Sequence, residues 1–214
     1  MQRIAQAFTA ASGHRASLVV GSTGAFHAQI RNGAPFDVLL AADDETPARL
    51  EREGLAVEGT RFTYATGRLV LWSAQPGAID AAGRVLLEGR VERLAIANPK
   101  LAPYGAAAIE AMDRLKVHDT LRPRIVQGEN VGQAFQMTAS GNAAMGFVAL
   151  SQVMVDGRIA RGSAWVVPAS LHSPLRQDAV LLSAGRGNAA ASELLAFLKS
   201  EAARSIMRGY GYEP

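Results

Sequence analysis

The feature that most constrains this chain is its grammar, in which short apolar runs alternate with helical segments over short connections. Ser17-Leu18-Val19-Val20 reads as a buried strand, Gly21-Ser22-Thr23-Gly24 as a turn, and Ala25 to Arg31 as a helix stopped by Asn32-Gly33. Phe36 to Leu40 is a second strand, and a helix runs from about Pro47 to Glu53. Strands at Arg68–Ser73, Leu94–Ala97, Ile125–Gln127, Ala144–Ala149, Ala164–Val167 and Asp178–Ser183 follow. Helices at Tyr104–Lys116, Val131–Ser140, Asn188–Lys199 and Glu201–Arg208 complete the pattern. Strand-then-helix repetition predicts an α/β fold with parallel sheets wrapped by helices. In such folds, sites gather at the carboxyl ends of strands.

Composition narrows the function classes. A chain of 214 residues supports one large domain or two small ones, and its apolar runs fall far short of the ~20 residues that span a bilayer. The net charge of +3 comes from 22 basic and 19 acidic residues. Apart from Lys100, Lys116 and Lys199 the basic residues are arginines, spread along the chain without the stripe a nucleic-acid binder gathers. Cysteine is absent, which excludes disulfides, thiolate metal sites and cysteine nucleophiles and is compatible with the periplasm. The stretch Met1 to Ala11 shows no secretory pattern. It reads as an amphipathic helix with Ile4 and Phe8 on one face, so the chain is expected to begin inside a domain.

Three strand-to-helix junctions share one chemistry: Val20-Gly21-Ser22-Thr23-Gly24, Asn98-Pro99-Lys100-Leu101-Ala102-Pro103-Tyr104-Gly105, and Gln127-Gly128-Glu129-Asn130-Val131. A helix start leaves N–H groups unpaired and carries partial positive charge, so it receives an anion without a full cation. Taken singly, Ser22, Thr23 and Asn130 read more readily as N-caps. Spacing alone does not show that the three starts meet.

Other signals are weaker. Gly185-Arg186-Gly187-Asn188-Ala189-Ala190 fits a dinucleotide fingerprint, but no strand follows its helix, and a Gly-rich return between lobes is the better reading. Asp43-Asp44-Glu45 is read as helix-capping acid in preference to a hard-metal cluster. His14, His27, His118 and His172 lack metal-ligand spacing. A hydrolase built on Ser22 and His27 lacks the nucleophile elbow.

The segment GSTGAFHAQIRNGAPFDVLLAAD resembles the stretch in molybdate-binding proteins of ABC transporters that runs through a Gly-Ala-Pro-x-Asp motif. LAIANPKLAPYGAAAIEAM is similar to that family's Asn-Pro-x-x-x-Pro-Tyr-Gly loop. GENVGQAFQMTASGNAAMGFVALSQV and the ending LKSEAARSIMRGYGYEP continue the likeness over essentially the whole chain, in order.

The resemblance implies a type II periplasmic-binding-protein-like fold. Residues 1–67 and 184–214 would form lobe one, residues 68–183 lobe two, and each lobe would hold a mostly parallel sheet. It implies that a tetrahedral oxyanion, molybdate or tungstate, is bound in the cleft without chemistry. No cofactor or metal is needed, and delivery is to an ABC permease by a monomeric periplasmic protein. Carried over by position, Thr23 is the lobe-one hydroxyl ligand with Ser22 beside it, and Tyr104 and Val131 act through backbone N–H groups. Two departures stand out. Ala149 occupies a position where some relatives bring a tyrosine hydroxyl. The family's first strand, upstream of the Met1 helix, is missing from this sequence. The slot beside Ser17–Val20 should then be filled by something else, or lobe one rearranged, or an exposed edge paired with another chain. The alternative function is a cytoplasmic oxyanion-sensing regulatory domain.

Overall fold

The structure, a computed structural model, describes residues 1–89 and 91–214. Helix α1 (Gln2–Ser12) forms as the spacing predicts: Ile4 and Phe8, one turn apart, are its buried residues, and Gly13 at φ 75° ends it. The segment that follows departs from expectation. Ser17–Val20 forms no strand, and Val19 and Val20 are 60% and 81% exposed. Helix α2 (Thr23–Arg31) leads to strand β1 (Val38–Leu40), helix α3 (Glu45–Arg52) and strand β2 (Phe62–Gly67), the last of which is not among the strands expected from the sequence.

One residue beyond β2 begins strand β3 (Leu69–Ser73), then strand β4 (Leu94–Ala97), helix α4 (Pro103–Arg114), the short helix α5 (His118–Leu121) and strand β5 (Ile125–Gly128). Helix α6 (Val131–Ala139), strand β6 (Met145–Ala149) and helix α7 (Leu150–Val153) follow, with a hairpin of β7 (Met154–Val155) and β8 (Arg158–Ile159). Strand β9 (Ser163–Val166), strand β10 (Leu175–Leu181) and helices α8 (Ala189–Leu198) and α9 (Glu201–Gly209) complete the order.

The strands form two main sheets. The larger runs β5-β4-β6-β3-β9; β4 pairs parallel with β5 and β6, and β3 pairs antiparallel with β6 and β9. Its two faces follow the period-2 rule. Leu69 and Leu71 join the core under α4, whereas Val70 and Trp72 pack on the opposite side with Val148 and Phe135. The smaller sheet runs β1-β10-β2, both pairings antiparallel because β10 returns between them. Ala179 and Leu181 face α1, α8 and α9, while Val180 and Leu182 face α2 and α3. The larger sheet is thus mixed and the smaller wholly antiparallel, where mostly parallel sheets were expected, because β3 and β10 each run against their neighbours.

β1 is an edge. Asp37 O accepts from Leu182 N and Ala41 N donates to Asp178 O, so by antiparallel alternation Val38 and Leu40 turn their N–H and C=O groups away from β10. A cavity of about 550 Å³ lies along this strand, lined by Val38 to Leu40, by Ser17 to Gly21 and by residues of α1 and α8. Among the described residues no strand pairs with the outer edge of β1. Ser17–Val20 joins no ladder with any described strand.

Candidate functional site

The first helix start lies at the carboxyl end of β1. Ser22 is the N-cap of α2 in extended conformation, yet its hydroxyl makes no cap bond. Thr23 is the first helical residue, and both side chains are buried. Ala42, two residues past β1, donates its N–H to Thr23 Oγ1 at 3.2 Å. With that lone pair engaged, the Thr23 hydroxyl proton is left to be donated, so the side chain is preset as a donor.

The second start is set by a tight turn. Asn98 Oδ1 accepts from Lys100 N at 3.0 Å, and Asn98 O accepts from Leu101 N at 3.1 Å and Ala102 N at 2.9 Å. Pro103 opens α4 at a position where no N–H is needed. Gly105 lies so close to the end of β4 that a Cβ would come within 2.2 Å of the Ala97 carbonyl oxygen. The Tyr104 ring is buried toward the smaller sheet. Its hydroxyl accepts from Gln177 Nε2 at 3.0 Å, and Gln177 Oε1 accepts from the Tyr64 hydroxyl at 2.8 Å. The Tyr104 oxygen fills the space a side chain at position 67 would need, which accounts for Gly67. Burial pushes the phenols of Tyr104 and Tyr64 well above their ordinary range, so both stay neutral. What Tyr104 leaves available at the helix start is its N–H.

At the third start Asn130 is a cap after all: its Oδ1 accepts from Gln133 N at 3.0 Å, and Gln133 Oε1 accepts from Glu129 N at 2.8 Å. This reciprocal pairing holds the loop and leaves the Val131 N–H free of it. Among the described residues, the N–H groups of Thr23, Tyr104 and Val131 meet no protein acceptor.

Two backbone bonds join the three starts. Asn98 N donates to Gly128 O at 2.7 Å, tying the α4 turn to the end of β5, and Gly24 N donates to Leu101 O at 2.9 Å, tying α2 to the α4 turn. The result is a donor-rich neighbourhood made of hydroxyls and the N–H groups of three helix starts. Asp43 is the acid of the cluster beside β1 that is drawn inward. Burial raises its pKa, its two oxygens accept from Thr46 N and Oγ1, and it serves as the cap expected of it.

Several other sequence readings find their place. Ala149, at the end of β6, is buried and gives its N–H to Gln152 Oε1, so its methyl offers no hydroxyl contact. His27 bonds Glu53 at 3.1 Å, not Ser22. Gly185 follows β10 and packs against the Asp37 backbone, where a Cβ would lie 2.5 Å from its oxygen, and Asn188 caps α8. No group of three metal-binding side chains occurs among the described residues. Sequence reasoning missed Tyr64 and Gln177, and it placed Gly24 in the first junction without its contact to Leu101. All three act through contacts distant along the chain, and only the Tyr104 side chain, an aromatic at a helix start, hinted at a buried partner.

Comparison with known proteins bears directly on this arrangement. The description "Bacterial extracellular solute-binding protein" matches residues 1–213. The chain belongs to that family. It is 50% identical over 212 residues to the molybdate-binding protein ModA of Azotobacter vinelandii, covering 99% of this chain and 84% of that protein. To ModA of Rhodobacter capsulatus it is 49% identical, covering 99% and 82%. The solved periplasmic molybdate-binding protein of Azotobacter vinelandii superposes with a TM-score of 0.96 at 40% identity, over 100% of this chain and 93% of that one. A sulfate-binding protein of Mycobacterium tuberculosis shares the fold at 15% identity and a TM-score of 0.73, over 100% of this chain and 82% of that one. Proteins named for molybdate and for sulfate thus share this fold.

Proposed function

We propose that this solute-binding protein captures molybdate, with tungstate as an equivalent ligand, and delivers it to the permease of an ABC importer from the periplasm. Ser22 and Thr23 contribute hydroxyl donors, and Tyr104 and Val131 contribute backbone N–H groups. The observation that supports this most is the joining of three helix starts by hydrogen bonds while their leading N–H groups keep no protein acceptor. The high identity to molybdate-binding relatives names the ion. A set made of donors favours a fully ionised dianion; protonated phosphate would need an acceptor, and sulfate would sit loosely among donors spaced for a larger ion. Two lobes would close around the ion by hinge motion; since β10 (Leu175–Leu181) is the central strand of the smaller sheet, it belongs with 1–67 and 184–214 rather than with the expected 68–183. The protein would act as a monomer and without a cofactor. Family membership favours this receptor role over a cytoplasmic sensing domain.

Thermal unfolding with added oxyanions tests the reading. Molybdate or tungstate at 100 times the dissociation constant should add about 2.7 kcal/mol. Sulfate and phosphate at the same concentration should add far less. Equal shifts for sulfate and molybdate would overturn the selectivity, and no shift with any oxyanion would overturn the function.

A further inference from the structure

Gly24 occupies the second position of α2, where glycine is a poorer helix residue than alanine. Its torsions do not call for glycine either, since Gly24 is absent from the positive-φ glycines. What does call for it is the other lobe. A Cβ on Gly24 would stand 3.2 Å from Leu101 Cα, 3.2 Å from Leu101 O and 3.3 Å from Leu101 Cδ2. The first two are backbone atoms held in place by the Asn98 turn, so they have little room to yield. The Gly24 N–H, a first-turn group that would otherwise point at an anion, is given instead to Leu101 O.

We infer that Gly24 is a positioning residue for oxyanion capture. Its bare Cα lets α2 and the α4 turn approach, and its N–H clasps them at the separation the ion requires. The inference rests on the proposed function and extends it, because it concerns a residue that need not touch the ion. Thr23 lies one residue before Gly24 and Tyr104 three residues after Leu101, so the clasp fixes the spacing between lobe-one and lobe-two donors. It forms as the lobes meet and breaks as they part, so its loss should appear in release of the ion and not in its arrival.

The experiment compares wild type, Gly24→Ala and Gly24→Val. It uses calorimetric titration with molybdate, release of radiolabelled molybdate, small-angle scattering with and without molybdate, and the ligand-free melting temperature. Gly24→Ala should weaken binding a few-fold and Gly24→Val at least about tenfold, carried by faster release with association unchanged. Ligand-free melting temperatures should be equal to or above that of wild type, as helix propensity alone would give. Gly24→Val should fail to contract on adding molybdate. Wild-type affinity and release in Gly24→Val would overturn the clasp and leave the proposed function standing. A lowered ligand-free melting temperature that accounts for the whole loss of affinity would show a merely structural glycine and also overturn it. No molybdate binding by wild type would overturn the proposed function, and the clasp with it.

Discussion

In the larger sheet β4, β6 and β3 each have a strand on both sides, and Val70, Leu71 and Val148 are completely buried. In the smaller sheet only β10 is flanked; β1 ends the sheet, and Val19 and Val20, residues of the same kind, lie largely in solvent. The difference teaches that an apolar β-branched run becomes a strand only where a neighbour supplies hydrogen bonds and a surface to pack on. It also divides the site. The α4 and α6 starts rise from a sheet buried on both faces. The α2 start hangs from the Thr23–Ala42 bond and from the contact of Gly24 with Leu101.

Mutations can sharpen that contrast. Phe147→Ala, in the middle of the larger sheet, should cost about 3–5 kcal/mol in urea unfolding, whereas Leu39→Ala, whose strand borders the cavity, should cost only about 2 kcal/mol. Equal losses would show the smaller sheet to be as tightly packed as the larger. Thr23→Ala should weaken molybdate binding by about 1.5–3 kcal/mol, roughly ten- to over a hundredfold by calorimetry, since it removes a donor aimed at a buried charge. Tyr104→Phe should lower stability by about 1 kcal/mol through the lost Gln177 bond while leaving affinity nearly unchanged. The reverse result for these two variants would exchange the roles assigned to Thr23 and Tyr104.

The smallest effect concerns pH. Burial holds the Asp43 pKa above its unfolded value, so the fold prefers the protonated acid. Stability from this group is fully present below the unfolded pKa and is lost as pH rises through the folded one. Asp43→Asn keeps an acceptor for Thr46 N and should flatten that decline. Chemical denaturation of both proteins across the acid range checks it, and parallel curves would remove Asp43 as the cause.

The sequence by itself determined most of the element order, Ser17–Val20 and β2 excepted, because hydrophobic period and turn residues are local properties. The α4 start is an example: Pro103, the Asn98 turn and the apolar spacing of Ala107, Ala108, Ala111 and Met112 are legible within a dozen or so residues. It also marked Ser22, Thr23, Tyr104 and Val131 as candidates through helix-start chemistry and family likeness. Only the tertiary structure decided which of those starts share a neighbourhood. It decided too that Asn130 caps its helix while Ser22 does not. It placed the Tyr104 hydroxyl on Gln177, 73 residues away, and left Ser17–Val20 unpaired despite a strand-like sequence. The physical reason is the same in each case. A hydrogen bond or a ladder is a property of two segments, and one segment's residues state only what it can offer, not whether a partner arrives.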